Sequence, residues 1–146
     1  MGSETIRHEG PEPLRLASLA ARKANVPMMV HVGGNPPYLK DMEPYFEKGD
    51  ILTHVFNGRG GDVWNPDGTP SDALQKLIDR GVWLDVGHGS SSFDFNVFER
   101  AIRHPLPRVL MGPDLHQSSV KTLVRSMPVL LSKLYGCDVS LEELLY

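Results

Sequence analysis

Four times along the chain, a short apolar run gives way to a stretch rich in Gly, Asn, Asp or Pro. The runs are "PMMVHV" (27–32), "DILTHVF" (50–56), "VWLDVG" (82–87) and "RVLMG" (108–112). They are continuous rather than strictly alternating, as expected of strands covered on both faces. Helical patterns lie between them. "PLRLASLAARKAN" (13–25) opens at Pro13, presents Leu14, Leu16, Leu19, Ala20 and Ala24 as its apolar face, and is closed by Asn25 and Pro27. A weaker helical pattern over 37–49 ends at Gly49, and residues 57–70 form a long loop. Ser71 caps "DALQKLIDRG", which Gly81 ends. "FDFNVFERAIRH" (93–104) turns Phe95, Phe98, Ala101 and Ile102 inward. The last 29 residues read as helix, turn and helix, the second helix opened by a Ser140–Glu143 capping box.

Strand followed by helix, repeated four times, predicts parallel strands with right-handed crossovers, an α/β fold. Four such units are half of a (β/α)8 barrel, or a small open parallel sheet. Residues 1–12 are an irregular N-terminal segment, and 13–146 form the partial barrel. In either architecture, ligand groups gather at the carboxyl ends of the strands. His31, His54, His88 and Asp114 all stand there, with His116 two residues further on.

Composition narrows the function classes without pointing to one. A chain of 146 residues is a single ordinary domain. Its net charge of -3 gives no electrostatic reason to expect nucleic acid or an anionic membrane as a partner. No apolar run approaches the roughly 18 residues of a membrane span, and the start carries no apolar signal-peptide core. The single cysteine, Cys137, cannot pair within the chain, so a cytoplasmic location is expected.

The strand-end residues carry the chemistry. Imidazole nitrogen and carboxylate oxygen are good ligands for Zn²⁺ and similar ions. His31, His54 and Asp114, on different strands, would supply two neutral donors and one anionic donor. Such an ion activates water and polarises a carbonyl, and a neighbouring carboxylate takes and returns the proton. The implied reaction is hydrolysis of an amide, ester or similar bond. Taken singly, each histidine also reads as a hydrogen-bonded structural residue, and the glycines beside His88 as serving only a tight turn. His8 and His104 read as solvent-facing. "GRGG" (58–61) lacks the Lys-Ser/Thr of a phosphate loop.

At "MMVHVG", "THVFNG", "LDVGHGSSSF" and "DLH" the sequence resembles the amidohydrolase superfamily, within it the dihydroorotase-like deacetylases. The resemblance implies a (β/α)8 barrel holding one or two divalent ions, most often zinc, and a small acylated substrate. It implies that His31 and His54 are the metal-binding histidines of the fifth and sixth barrel strands. Asp114 corresponds to the eighth-strand aspartate, which binds metal and shuttles the proton. His88 stands at the end of the seventh strand, where substrate-facing residues are expected, and Asn57 and His116 are placed to meet polar groups of a substrate.

The chain also departs from that pattern. It has no His-x-His, and the strand bearing a bridging lysine would fall at or before Met1. Gly112-Pro113 replaces an expected Ser-Thr, and Gly34 stands where relatives often carry an acid. The chain therefore reads as strands five to eight of a barrel. A homo-oligomer, or the missing N-terminal half, is the expected partner. The alternative is a non-catalytic half-barrel that only folds or associates.

Overall fold

The computed structural model describes residues 9–59, 62–89, 91–107, 109–117, 119–122 and 124–145. The expected solvent-facing His8, the glycines at 60 and 61, and Arg108 at the head of the fourth run lie outside them.

The elements alternate as the patterning predicts: α1 (Glu12–Ala24), β1 (Met29–His31), α2 (Leu39–Met42), β2 (Ile51–Thr53), α3 (Asp72–Arg80), β3 (Trp83–Asp85), α4 (Phe95–Ala101), β4 (Val109–Leu110), α5 (Met127–Tyr135) and α6 (Leu141–Leu145). The strands form one parallel sheet whose spatial order, β1-β2-β3-β4, is the chain order. They are shorter than the apolar runs, because the residues after each strand leave the ladder to build loops at the carboxyl end.

Local chemistry fixes the helix ends. Ser71 Oγ accepts from Leu74 N (3.2 Å), capping α3. Asn25 and Gly81 end α1 and α3 in the left-handed conformation, with φ of 55° and 85°. The next residue then bonds back across the last turn, Val26 N to Ala21 O (3.1 Å) and Val82 N to Leu77 O (3.0 Å). Ser140 and Glu143 form the predicted reciprocal cap, Glu143 N donating to Ser140 Oγ (3.2 Å) and Ser140 N to Glu143 Oε2 (3.0 Å).

Register sorts the two faces of the sheet. Val30, Leu52, Leu84 and Val109 lie in one row, and Leu52 and Leu84 are fully buried under the helices with Leu74 and Leu77 of α3. Burial of each such leucine is worth about 1.5–3 kcal/mol. The flanking rows point to the other face: Met29, Ile51 and Trp83 on one side, and His31, Thr53, Asp85 and Leu110 on the other. Met29 and Trp83 are 49% and 37% exposed, so this face is only partly covered.

Two sequence expectations are corrected. In α1 Leu14 is buried as expected, but Leu16, Leu19, Ala20 and Ala24 are exposed, and Ala21 is buried in their place. Positions 14, 17, 18 and 21 follow the helical repeat, and Ser18 Oγ turns inward to donate to Tyr45 O (2.9 Å). In α4, Phe98 and Ala101 are buried as expected but Phe95, the first residue of the helix, is exposed.

Candidate active site at the carboxyl ends of the strands

Parallel register brings His31 and His54 together. Thr53 is the Cα partner of His31, and His54 follows it with φ 63°, in the left-handed region. That turn swings the His54 ring back across the strand end, so the two imidazole centroids lie 3.9 Å apart, tilted by 58°. His54 Nδ1 is 2.6 Å from Gly87 O. A carbonyl can only accept, so Nδ1 carries the proton and Nε2 holds the lone pair of the neutral ring. Gly87 itself has φ 52°, and a Cβ there would lie 2.5 Å from His54 Nδ1, so glycine is required for this approach.

Asn57 is buried and ties the loop after β2. Its Nδ2 donates to His54 O (2.8 Å), and its Oδ1 accepts from Arg59 N (3.2 Å). Its side chain is thus committed to the backbone around His54.

Asp114 stands apart from the histidine pair. It is exposed, with φ 45°, and its Oδ2 lies 2.5 Å from where a Cβ on Gly89 would sit, so the loops after β3 and β4 touch. Buried Ser119 ties the turn that follows, its Oγ donating to Asp114 O (3.0 Å) and accepting from His116 N (2.8 Å). His116 is exposed on this turn. Among the described residues, no group of three or more His, Cys, Asp or Glu is close enough together to hold a metal ion.

His88 is buried, its ring stacked on Phe93 (centroids 4.6 Å apart, 12° between planes) and edge-on to Phe95. Among the described residues neither ring nitrogen has a hydrogen-bond partner. Burial, and secondarily the Lys133 ammonium on α5, hold its pKa below the ordinary histidine value. His104, expected to face solvent, is only half-exposed and lies outside the site, with Nε2 3.1 Å from Asp67 O. A cavity of about 600 Å³ opens elsewhere, between α4, β4 and α6, lined by Phe98, Ile102, Leu106, Val109 and Val139.

Sequence reasoning missed Asp85 and Thr53. Asp85 is 3% exposed, and it accepts from Thr53 Oγ1 (2.5 Å) and Gly112 N (2.8 Å). The available signal was an acid inside an otherwise apolar run, at the same distance from its strand end as Thr53.

No family model matches the chain. Individual relatives do. A deacetylase of Agrobacterium fabrum is 34% identical over 134 residues, covering 92% of this chain and 33% of the relative. A deacetylase of Brucella anthropi is 33% identical over 136 residues, covering 93% and 34%. The crystal structure of a dihydroorotase superposes with a TM-score of 0.74 at 35% identity, over 92% of this chain and 35% of that one. The chain belongs to the amidohydrolase superfamily. A second crystal structure, of an adenine deaminase, matches this chain with a TM-score of 0.81 at 30% identity, over 94% of it and 38% of that chain. The chain spans about a third of the length of these relatives. With its four parallel strands, that span is consistent with the C-terminal half of an amidohydrolase barrel. No helix among the described residues is long and apolar enough to cross a membrane.

Proposed function

We propose that the chain supplies one half of the catalytic end of a metal-dependent amidohydrolase that cleaves an amide or ester bond of a small acylated substrate. The observation that carries this reading is the His31–His54 pair, two imidazoles 3.9 Å apart at neighbouring strand ends, one with its tautomer set by Gly87 O. The deacetylase names of the relatives support an acyl substrate.

The donor set fits a divalent ion, Zn²⁺ foremost, in part. His54 offers Nε2, and His31 stands beside it. Two imidazoles are fewer than the three protein ligands of a catalytic zinc site, and Asp114 is not grouped with them. The remaining donors are therefore assigned to a second copy or to the other half of a barrel. When bound, the ion supplies Lewis-acid polarisation and a water of lowered pKa. In this reading Asp114 is the proton shuttle and the exposed His116 faces the substrate, while His88 and Asn57, also expected to face it, are buried at 4% and 8% exposure. Asn57 acts by holding the His54 loop.

Metal analysis of chain purified without chelator, beside His31→Ala and His54→Ala, tests the site. Metal retained by the parent and reduced in both variants is the expected result, and equal content in all three would sink the assignment. The second reading, a half-barrel without catalysis, is favoured by the separation of Asp114 from the histidine pair. Zn²⁺-dependent hydrolysis of an N-acetylated substrate, lost in Asp114→Asn, would exclude it.

A further inference from the structure

We propose that Asp85 is the positioning residue of this site, the group that holds His54 and the start of the Asp114 loop in their working conformations. The inference rests on the reading of those two residues as functional.

The argument starts from backbone strain. His54 and Asp114 both carry positive φ, 63° and 45°. A side-chain-bearing residue is strained there and keeps the conformation only when its surroundings over-determine it. Asp85 lies opposite Thr53 in the parallel register, and it grips the chain on both sides of His54. On one side, its Oδ2 accepts from Thr53 Oγ1 (2.5 Å). On the other, its backbone oxygen accepts from Val55 N (3.3 Å). Two residues further along the same strand exit, Gly87 O receives the His54 ring proton. One short segment of β3 therefore fixes both flanks and the ring of His54.

The same carboxylate reaches the opposite neighbour. Asp85 Oδ1 accepts from Gly112 N (2.8 Å), two residues before Asp114. The backbone supports that contact on either side, through Val86 N to Leu110 O (2.9 Å) and His88 N to Gly112 O (2.9 Å). A Cβ on residue 112 would lie 2.7 Å from Asp85 Oδ2, so the carboxylate in this position would have to shift to admit a side chain there. That accounts for Gly112 where the family pattern suggests a side chain. At 3% exposure Asp85 is too enclosed to meet a substrate, so its role is exerted through His54 and the β4 exit.

Long-range ¹H–¹⁵N spectra of the ¹⁵N-labelled full chain, free of metal and at a pH where the rings are neutral, report which nitrogen of each histidine carries the proton. The parent is expected to show His54 in the Nδ1–H form. Asp85→Asn can keep both contacts, its oxygen accepting from Gly112 N and its amide donating to Thr53 Oγ1, and is expected to retain that signature. Asp85→Ala is expected to lose it, the His54 signals moving to the average of two tautomers. A folded Asp85→Ala chain with parental His54 signals would overturn the proposal. Should Asp85→Ala not fold, Thr53→Val and Thr53→Ser decide: loss in the first and recovery in the second are expected, and parental signals in Thr53→Val overturn it. A chain that takes up no Zn²⁺ while these signatures behave as expected removes the metal reading and leaves the positioning role standing.

Discussion

His88 shows how a single residue couples burial to pH. Its ring is sealed between Phe93 and Phe95 with no hydrogen-bond partner among the described residues, and its pKa is depressed. Above the ordinary histidine value, about 6.5, both folded and unfolded chains carry a neutral ring and no stability depends on it. As pH falls through that value the unfolded chain takes up a proton first, so the folded state loses stability. The loss continues down to the depressed folded pKa and is constant below it. His88→Phe, which keeps an aromatic ring against Phe93, is expected to flatten this part of the profile. Melting temperatures of parent and variant between roughly pH 7 and pH 5 check it, and parallel profiles would refute it. The strand-end histidines were legible in the sequence because each interrupts or ends an apolar run. Asp85 was not, because its significance lies in the cross-strand register that sets it opposite Thr53, and no local pattern encodes register.

At the scale of elements, helix boundaries were legible wherever a cap declares itself, as at Ser71, Gly81 and Ser140. The inward face of α1 was not. Its leucines at 16 and 19 suggested one stripe, but the helix is rotated so that Leu14 and Ala21 are buried and Ser18 meets the turn at Tyr45. Asp50 fixes that rotation from the amino ends of the strands. Its fully buried carboxylate accepts from Met28 N (2.8 Å) and Glu47 N (2.8 Å) and pairs with Arg22 of α1. Hydrogen bonds to a charged group are worth about 1.5–3 kcal/mol each. Asp50→Ala is therefore expected to destabilise the chain by at least about 2 kcal/mol in urea unfolding, with the sheet-end histidines unaffected in spectra of the surviving folded fraction. A loss within experimental error would show that α1 is held by its apolar contacts alone.

At the scale of the whole molecule, the order β/α/β/α was readable from the runs alone, and the parallel sheet follows from it. The uncovered face was anticipated only as a consequence of counting four units where a barrel has eight. In the structure it is the row of Met29, Ile51 and Trp83, with Leu110 36% exposed beside Asp85 at the edge of the sheet. Partly exposed apolar faces of this kind recruit a partner surface. The isolated chain is accordingly expected to sediment as a dimer at micromolar concentration, and a clean monomer would count against association through this face. The agreement between spatial order and chain order has another consequence. Among the described residues every strand pairs only with its neighbours in sequence, and no first-to-last pairing closes the sheet. The molecule is in that respect a short one-dimensional array, whose stability is a sum of unit and nearest-neighbour contributions. Order is therefore expected to be lost by fraying inward from either margin, first at the two-residue strand β4, so that amide hydrogen exchange is faster in the loop that carries Asp114 than around the histidine pair, and equal exchange would refute it.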